Sequence, residues 1–436
     1  MTDLNQITQQ ILNNEIEQAF DLITASEPQY LYNAEYWNLR GVLCLKVGEY
    51  KTAVGCFEKS LILDPTNPDV HYNCAYSFEM IGEKEKAAQY NGLAYFYTSD
   101  ISLKEELMKL YEGLTELKGQ FHASINEESN PHRAPLVAII IPAYNQKEYL
   151  KEAVESALAQ DYPNLEVIVG DDHSTDGTDL LMENYAHYPN LKYIRRTHNL
   201  GGDVNSRDLL YNQTDAKFAM FLNHDDYLVQ NDYLSKTVNL LRMYPNLSFV
   251  WANCYVRNEE NSSLSMTNYS LPTITNGKDY FINYEKGDFK HITGFLTTVF
   301  DREKVVELGF YNEKTRAKDS FLYLKLMLFG DVGFIKEKVS VYRMHKGSLS
   351  YNMPIEYDYS TIDEFEALKE MALKQGVDRE GLDNWLILRL VSYFKWRLST
   401  LKLMDDNQAA YNLYSYVIGK YPELGKYPEL NNYIII

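Results

Sequence analysis

Cysteine is scarce in this chain: four in 436 residues, Cys44, Cys56, Cys74 and Cys254, with neither a paired metal-ligand spacing nor the density of a disulfide framework. Reduced, mostly buried thiols are expected. Long apolar runs are also lacking. No stretch approaches the roughly 20 residues of a membrane helix, and the opening Met1-Thr2-Asp3-Leu4-Asn5-Gln6 lacks the basic and apolar regions of a signal peptide. A soluble, cytoplasmic protein with no transmembrane segment is expected. Positive charge is short, 42 Lys and Arg against 61 Asp and Glu, for a net charge of -19. Such a surface repels a nucleic-acid backbone, so nucleic acid is excluded as the expected partner. A small anionic ligand would need a metal ion or local Arg and Lys to neutralise it. No glycine-rich loop follows the first strand-like segment, where Ala143-Tyr144-Asn145-Gln146-Lys147 stands instead. That absence excludes a sugar-phosphate nucleotidyltransferase and a dinucleotide-binding dehydrogenase.

What the chain does have is ample apolar material, 45% hydrophobic beside 24% charged residues, and a length that suggests about two to three domains. In the first third, Trp37, Gly41, Ala53, Phe57 and Pro65 place large and small residues on facing sides of two short helices. Shifting Ala53 by a 34-residue period meets Ala19 and Ala87. The pattern resembles the tetratricopeptide repeat. It implies two or three all-α repeats over residues 1–117, whose grooves bind peptides or neighbouring subunits. Asp64-Pro65-Thr66-Asn67-Pro68 stops one helix. Residues 118–135 lack apolar periodicity and read as a linker.

From residue 136 strand-like and helix-like segments alternate, which favours a mostly parallel sheet with right-handed crossovers. Val137–Ile141 is a strand stopped by Pro142, and Lys147–Leu158 is a helix with Leu150, Val154, Ala157 and Leu158 on one face. A second strand, Glu166–Val169, runs into Gly170-Asp171-Asp172-His173-Ser174-Thr175-Asp176-Gly177. A third, Lys192–Ile194, leads to Asn199-Leu200-Gly201-Gly202 and a short helix carrying Arg207. The apolar run Phe218–Leu222 then breaks into Asn223-His224-Asp225-Asp226. In open α/β sheets ligands bind beyond the carboxyl ends of the strands, and adjacent carboxylates there repel unless a cation or donor compensates them. A solvated Asn/Asp turn is the plainer reading of the acidic pair alone. Its place as the third polar strand end in a series favours a site.

At these residues the segment from about Pro135 to Ser350 resembles the catalytic domain of family 2 glycosyltransferases. The family's IPAYN stands as Ile141 to Asn145, its DDGSTDGT as Asp171 to Thr178 with His173 in place of Gly, and its ARN as Ser206-Arg207-Asp208. Its DxD-type metal motif stands as Asn223-His224-Asp225-Asp226, its ED as Lys318-Asp319, and its YRxH as Tyr342-Arg343-Met344-His345. The resemblance implies a Rossmann-like α/β GT-A fold over 136–352 and transfer of a sugar from a nucleotide-sugar, with UDP the favoured nucleotide. It implies a Mn²⁺ or Mg²⁺ ion ligated by Asp226 and His345. Donor contacts would come from Pro142, Ala143, Tyr144, Asn145, Asp172, Arg207 and Asp225. Asp172 would meet the base edge, Tyr144 would stack nearby, and Asp225 would touch the ribose. Asp171 and Asp176 read better as turn and N-cap residues. Asp319, at the start of the apolar helix Phe321–Met327, would be the general base of an inverting transfer. Lys318, where the family has Glu, would depress its pKa. His291 and Gly294 fall where the family places acceptor-facing residues.

Residues 353–436 return to helical spacing, with Phe365, Leu368, Met371 and Trp385 to Leu403 expected to pack on the catalytic domain. Three functions compete. The first is an inverting, metal-dependent glycosyltransferase whose repeats recruit a protein acceptor. The second is a transferase of cell-surface polysaccharide synthesis, with a glycan acceptor and repeats used for homo-oligomerisation. The third is a non-catalytic scaffold built on a decayed transferase domain.

Overall fold

The computed structural model describes residues 4–31, 33–64, 66–98, 100–114, 134–309, 319–348 and 353–431. Pro65, Lys318 and all but the last two residues of the expected linker lie outside them. The chain opens with helices α1 (Leu4–Leu12), α2 (Ile16–Tyr30), α3 (Ala34–Lys46), α4 (Tyr50–Leu63), α5 (Pro68–Met80), α6 (Lys84–Tyr97) and α7 (Ile101–Leu114). Ala19, Ala53 and Ala87, spaced by the repeat period, are all fully buried. Each lies in the second helix of a pair. A side chain at Gly41 would put its Cβ 2.5 Å from the Phe57 ring, so glycine is what lets α3 and α4 close on each other. Asn33 and Asn67 cap α3 and α5 by accepting backbone N–H groups, and Pro68 follows Asn67 in the first turn of α5.

The central sheet has the order β3-β2-β1-β4-β9-β6-β10-β5. Its first half, β1 (Val137–Ala143), β2 (Leu165–Asp171), β3 (Leu191–Arg195) and β4 (Phe218–Phe221), is wholly parallel. The second half is mixed. It contains β5 (Tyr227–Leu228), β6 (Leu247–Asn258), β7 (Ser263–Met266), β8 (Ile274–Thr275), β9 (Thr298–Asp301) and β10 (Asp331–Met344), with β6 and β10 parallel and the other pairings antiparallel. β1 and β4 are apolar throughout because helices cover both faces of the sheet. Helix Lys147–Leu158 turns Leu150, Ala153, Val154 and Ala157 inward. The chain adds β2 and β3 on one side of β1, then returns to add β4 on the other. The carboxyl ends of β1 and β4 therefore form the topological switch point.

Pro142 does not end the first strand as its sequence suggested. β1 runs on to Ala143, with Pro142 paired to Gly170. Leu222 donates to the Ile140 carbonyl at 2.9 Å, so Pro142, two residues on, faces the same side just beyond the end of β4. Its missing N–H costs no ladder bond there.

The repeats dock on the catalytic sheet through α6. Tyr244 donates to the Gln89 carbonyl at 2.5 Å, Tyr97 and Thr273 share a hydrogen bond of 2.9 Å, and Leu93 joins the apolar cluster under β1. Helices Glu356–Lys374, Arg379–Leu403 and Asn407–Lys420 cover the opposite side. Phe281 stacks on Trp385 at 4.4 Å between ring centres, Phe321 meets Phe365 at 5.2 Å, and a fully buried Asp358–Arg397 pair at 3.0 Å ties the first two helices together. Cys44, Cys56, Cys74 and Cys254 are buried free thiols. No helix among the described residues is long and apolar enough to cross a membrane.

Candidate active site at the switch point

The loops after β1, β2 and β4 converge on the end of β1. Asp172 donates its N–H to the Ala143 carbonyl at 2.8 Å. His224 Nδ1 lies 3.1 Å from the Pro142 carbonyl, which fixes the proton on that nitrogen. His224, which carried no role in the sequence reading, thus splints the exit of β4 to the end of β1. The first and second loops are also cross-tied, since Asn145 N–H donates to Ser174 Oγ at 2.7 Å and Thr175 N–H to Asn145 Oδ1 at 3.0 Å. Asn145 and Gln146 both take left-handed φ of 58°, leaving Tyr144 46% exposed at the tip.

Asp171 and Asp176 organise the second loop. Asp171 accepts from Ser174 N–H at 2.8 Å and Tyr193 Oη at 2.7 Å. Asp176 accepts from Lys147 N–H at 2.9 Å and Thr178 Oγ1 at 2.7 Å, serving the starts of two helices at once. Asp172 is buried, with one oxygen 2.7 Å from Leu200 N–H and the other 2.9 Å from Gly201 N–H. It fixes the loop from which helix Gly202–Asn212 starts. Arg207 on that helix is half-buried and forms no hydrogen bond or ion pair with any described residue.

The two acids of the pair lie in different surroundings. Asp226, expected as the metal ligand, is fully buried. Its oxygens accept from Arg343 N–H at 2.9 Å and Asn223 Nδ2 at 3.3 Å. Burial first, and the neighbouring Asp225 charge second, push its pKa well above the usual carboxylate range. Asp225, expected at the ribose, is the residue that meets His345, Oδ2 to Nε2, at 3.1 Å. Burial opposes its charge, yet the His345 hydrogen bond and the His224 imidazole outweigh it and hold its pKa below the ordinary value. Asp226 directly precedes β5, whose pairing with β10 places it beside Arg343 N–H.

Arg343 is the hub that sequence reasoning passed over, although it stands inside the quoted YRxH. Its guanidinium is 2% exposed, donates to the Asp225 carbonyl at 2.7 Å, pairs with Glu152 and with Glu259 at 3.3 Å, and lies over the rings of Tyr149 and Tyr227 at 4.9 and 4.4 Å. Tyr149 also packs on the His345 ring at 5.1 Å. A planar, permanently charged group can meet all these partners at once.

The expected acceptor side forms a separate cluster. Gly294 has φ +78°, and a Cβ there would sit 2.9 Å from Asp319 Oδ2. Asp319 opens helix Asp319–Met327 and accepts from Ser320 N–H at 2.7 Å. Its charge reaches the buried Tyr284 and Tyr323 hydroxyls, whose pKa values burial raises. Cys254 bridges the two clusters: burial lifts its thiol to about 11 against hydrogen bonds from Thr293 and Thr267, with the Asp226 charge adding to the rise. His291 Nδ1 lies 2.8 Å from Glu285 Oε1 and 3.2 Å from Tyr284 Oη.

The family described as "Glycosyl transferase family 2" matches residues 138–307, and "Tetratricopeptide repeat" matches 34–67. Glycosyltransferase GlyG of Streptococcus pneumoniae is 24% identical over 238 residues, 52% of this chain and 75% of GlyG. TarS of Staphylococcus aureus, a poly(ribitol-phosphate) beta-N-acetylglucosaminyltransferase, is 37% identical over 93 residues, 21% of this chain and 16% of TarS. The structure of S. aureus TarS 1-349 in complex with UDP-GlcNAc superposes with a TM-score of 0.49 at 18% identity, covering 69% of this chain and 89% of that one. The protein is a glycosyltransferase: residues 138–307 match glycosyl transferase family 2, and residues 34–67 match a tetratricopeptide repeat.

Proposed function

We propose that this chain moves a sugar, with inversion, from a UDP-sugar held at the β1/β4 switch point to an acceptor approaching from the side of Asp319. The observation that carries the reading is the Asp225–His345 pair, a carboxylate and an imidazole 3.1 Å apart at the carboxyl end of the parallel half-sheet. That donor set fits Mn²⁺ or Mg²⁺, whereas Asp226 is fully buried beside Arg343 N–H and Asn223. No group of three or more His, Cys, Asp or Glu that could hold a metal occurs among the described residues, so phosphate oxygens of the donor would complete the coordination. When bound, the ion would neutralise charge growing on the leaving diphosphate.

The chain's own residues supply the rest. Arg207, an uncommitted guanidinium, offers a bidentate fork to the diphosphate. Asp172 keeps a lone pair on each oxygen for a base N–H, and exposed Tyr144 supplies a stacking face. Pro142, Ala143 and Asn145 shape the loop between them. Asp319 takes the acceptor hydroxyl proton as that oxygen bonds to the anomeric carbon and the bond to the diphosphate breaks on the opposite face. The likeness to TarS, a poly(ribitol-phosphate) beta-N-acetylglucosaminyltransferase, favours N-acetylglucosamine as the sugar and a polymer rather than a protein as acceptor. The repeats, fixed to the sheet through α6, would recruit that acceptor or a second subunit.

Incubation of the full chain with UDP-GlcNAc and Mn²⁺ should release UDP. Asp225→Asn should remove that release with the thermal midpoint kept within a few degrees. Wild-type rates in Asp225→Asn would refute the site.

A further inference from the structure

The C-terminal helices lie outside the matched family segment, yet they reach both sides of the site. On the donor side, Tyr357 donates to Asp203 Oδ2 at 2.9 Å, at the start of the helix that carries Arg207. On the acceptor side, Glu285 is the junction. Its Oε1 faces His291 Nδ1 at 2.8 Å, while its Oε2 accepts from Arg389 Nη1 at 2.5 Å and Ser392 Oγ at 2.8 Å. Arg389 is only 6% exposed on its side chain and sits 5.2 Å over the Tyr284 ring. Tyr284 Oη in turn accepts from Ile292 N–H at 3.2 Å, and Tyr323 Oη donates to the Ile292 carbonyl at 3.2 Å. Ile292 is two residues from Gly294, which abuts Asp319. Helix Asp319–Met327 is gripped as well, by Lys325 against Glu364 at 3.3 Å.

Glu285 holds this position at a cost. Its φ is +62°, a left-handed conformation that few L-residues other than Asn and Asp adopt. A strained residue persists where its surroundings over-determine it, and here those surroundings are Arg389, Ser392 and His291. The C-terminal helix thus supplies two of the three side chains that hold Glu285 in place.

We propose that Arg389 is a positioning residue for the acceptor side, acting through Glu285 to hold His291–Gly294 and hence the space beside Asp319. It touches neither donor nor acceptor. This rests on the reading of Asp319 as the acceptor-side base only for its effect on activity; the bracing itself does not.

The test uses Arg389→Met and Arg389→Lys in the full chain. Three readouts are needed: amide hydrogen exchange of residues 284–297 and 218–228, thermal midpoint, and UDP release from UDP-GlcNAc and Mn²⁺ with and without p-nitrophenyl β-N-acetylglucosaminide. Arg389→Met should speed exchange in 284–297 at least about tenfold and leave 218–228 unchanged. Acceptor-stimulated release should fall about tenfold through a higher acceptor KM, acceptor-free release should stay at the wild-type rate, and Lys should restore most of both. Unchanged exchange in 284–297, or equal acceleration in both segments, would overturn the bracing. If wild type releases no UDP but the exchange contrast appears, the bracing stands and the transferase reading falls.

Discussion

The proposed donor side and the proposed acceptor side of this site are held by different means. The donor side is built from loops that bond to one another within the parallel half-sheet: Asp172 to Leu200 and Gly201, Asn145 to Ser174 and Thr175, Asp176 to Lys147. Its partners lie about 30 residues apart, one βαβ unit along the chain. The acceptor side depends on partners from another layer, Arg389 on Glu285 and Glu364 on Lys325. A site assembled within one supersecondary unit is preset by the same pairing that makes the sheet. A site assembled across layers is only as firm as the packing of its outermost helices.

The largest expected break in this contrast comes from Asp319→Asn. Loss of a general base costs about 10²–10⁴ in rate; kcat should fall in that range while UDP affinity, measured by titration calorimetry, is unaltered. A matching loss of UDP affinity would place Asp319 on the donor side. Asp226→Asn should act the other way. An Asn there can accept only one of the N–H groups from Arg343 and Asn223, so stability should fall by about 1–3 kcal/mol in urea unfolding, with transfer kept within tenfold. Abolished transfer in a stably folded Asp226→Asn protein would restore Asp226 as a metal ligand.

Smaller effects sharpen the acceptor side. Gly294→Ala adds a Cβ against Asp319 Oδ2 in a left-handed backbone, so the thermal midpoint should drop by a few degrees and kcat about tenfold, with donor affinity retained. Glu285 gives the smallest and most specific signal. Burial opposes its charge, but His291 and Arg389 prevail and its pKa falls from 4.5 to about 2. A depressed carboxylate stabilises the fold above its unfolded pKa and loses that contribution as pH drops through its folded one. The urea-midpoint deficit of Glu285→Gln should therefore be full above about pH 5 and vanish toward pH 2. A deficit independent of pH would leave the charge of Glu285 with no role.

This contrast also explains what the sequence made legible. Apolar runs ending in Asp171-Asp172 and Asp225-Asp226 located the switch point because strand, loop and carboxylate are contiguous in the chain. The 34-residue spacing of Ala19, Ala53 and Ala87 located the repeats for the same reason. His173, standing where the family has glycine, adopts φ +68°, which shows why glycine suits that turn and that histidine can tolerate it. The differing surroundings of Asp225 and Asp226 were not legible, because they depend on β10 arriving more than a hundred residues later to pair with β5. Arg343 was visible as a letter of a motif, but its five partners come from three separate stretches of chain. Arg389 had no signal at all, being one cation among many on a helical face.

The hydroxyls of Tyr97 and Tyr244 bolt the repeat array to the sheet at two points. A hinged array would only raise the local concentration of whatever it grips. A bolted one presents its cargo at a single spacing from the reacting carbon. If the acceptor is a polymer, that spacing becomes a ruler: the enzyme would modify the chain at a set interval from the point of grip, and repeats added to the array would lengthen the interval by whole steps.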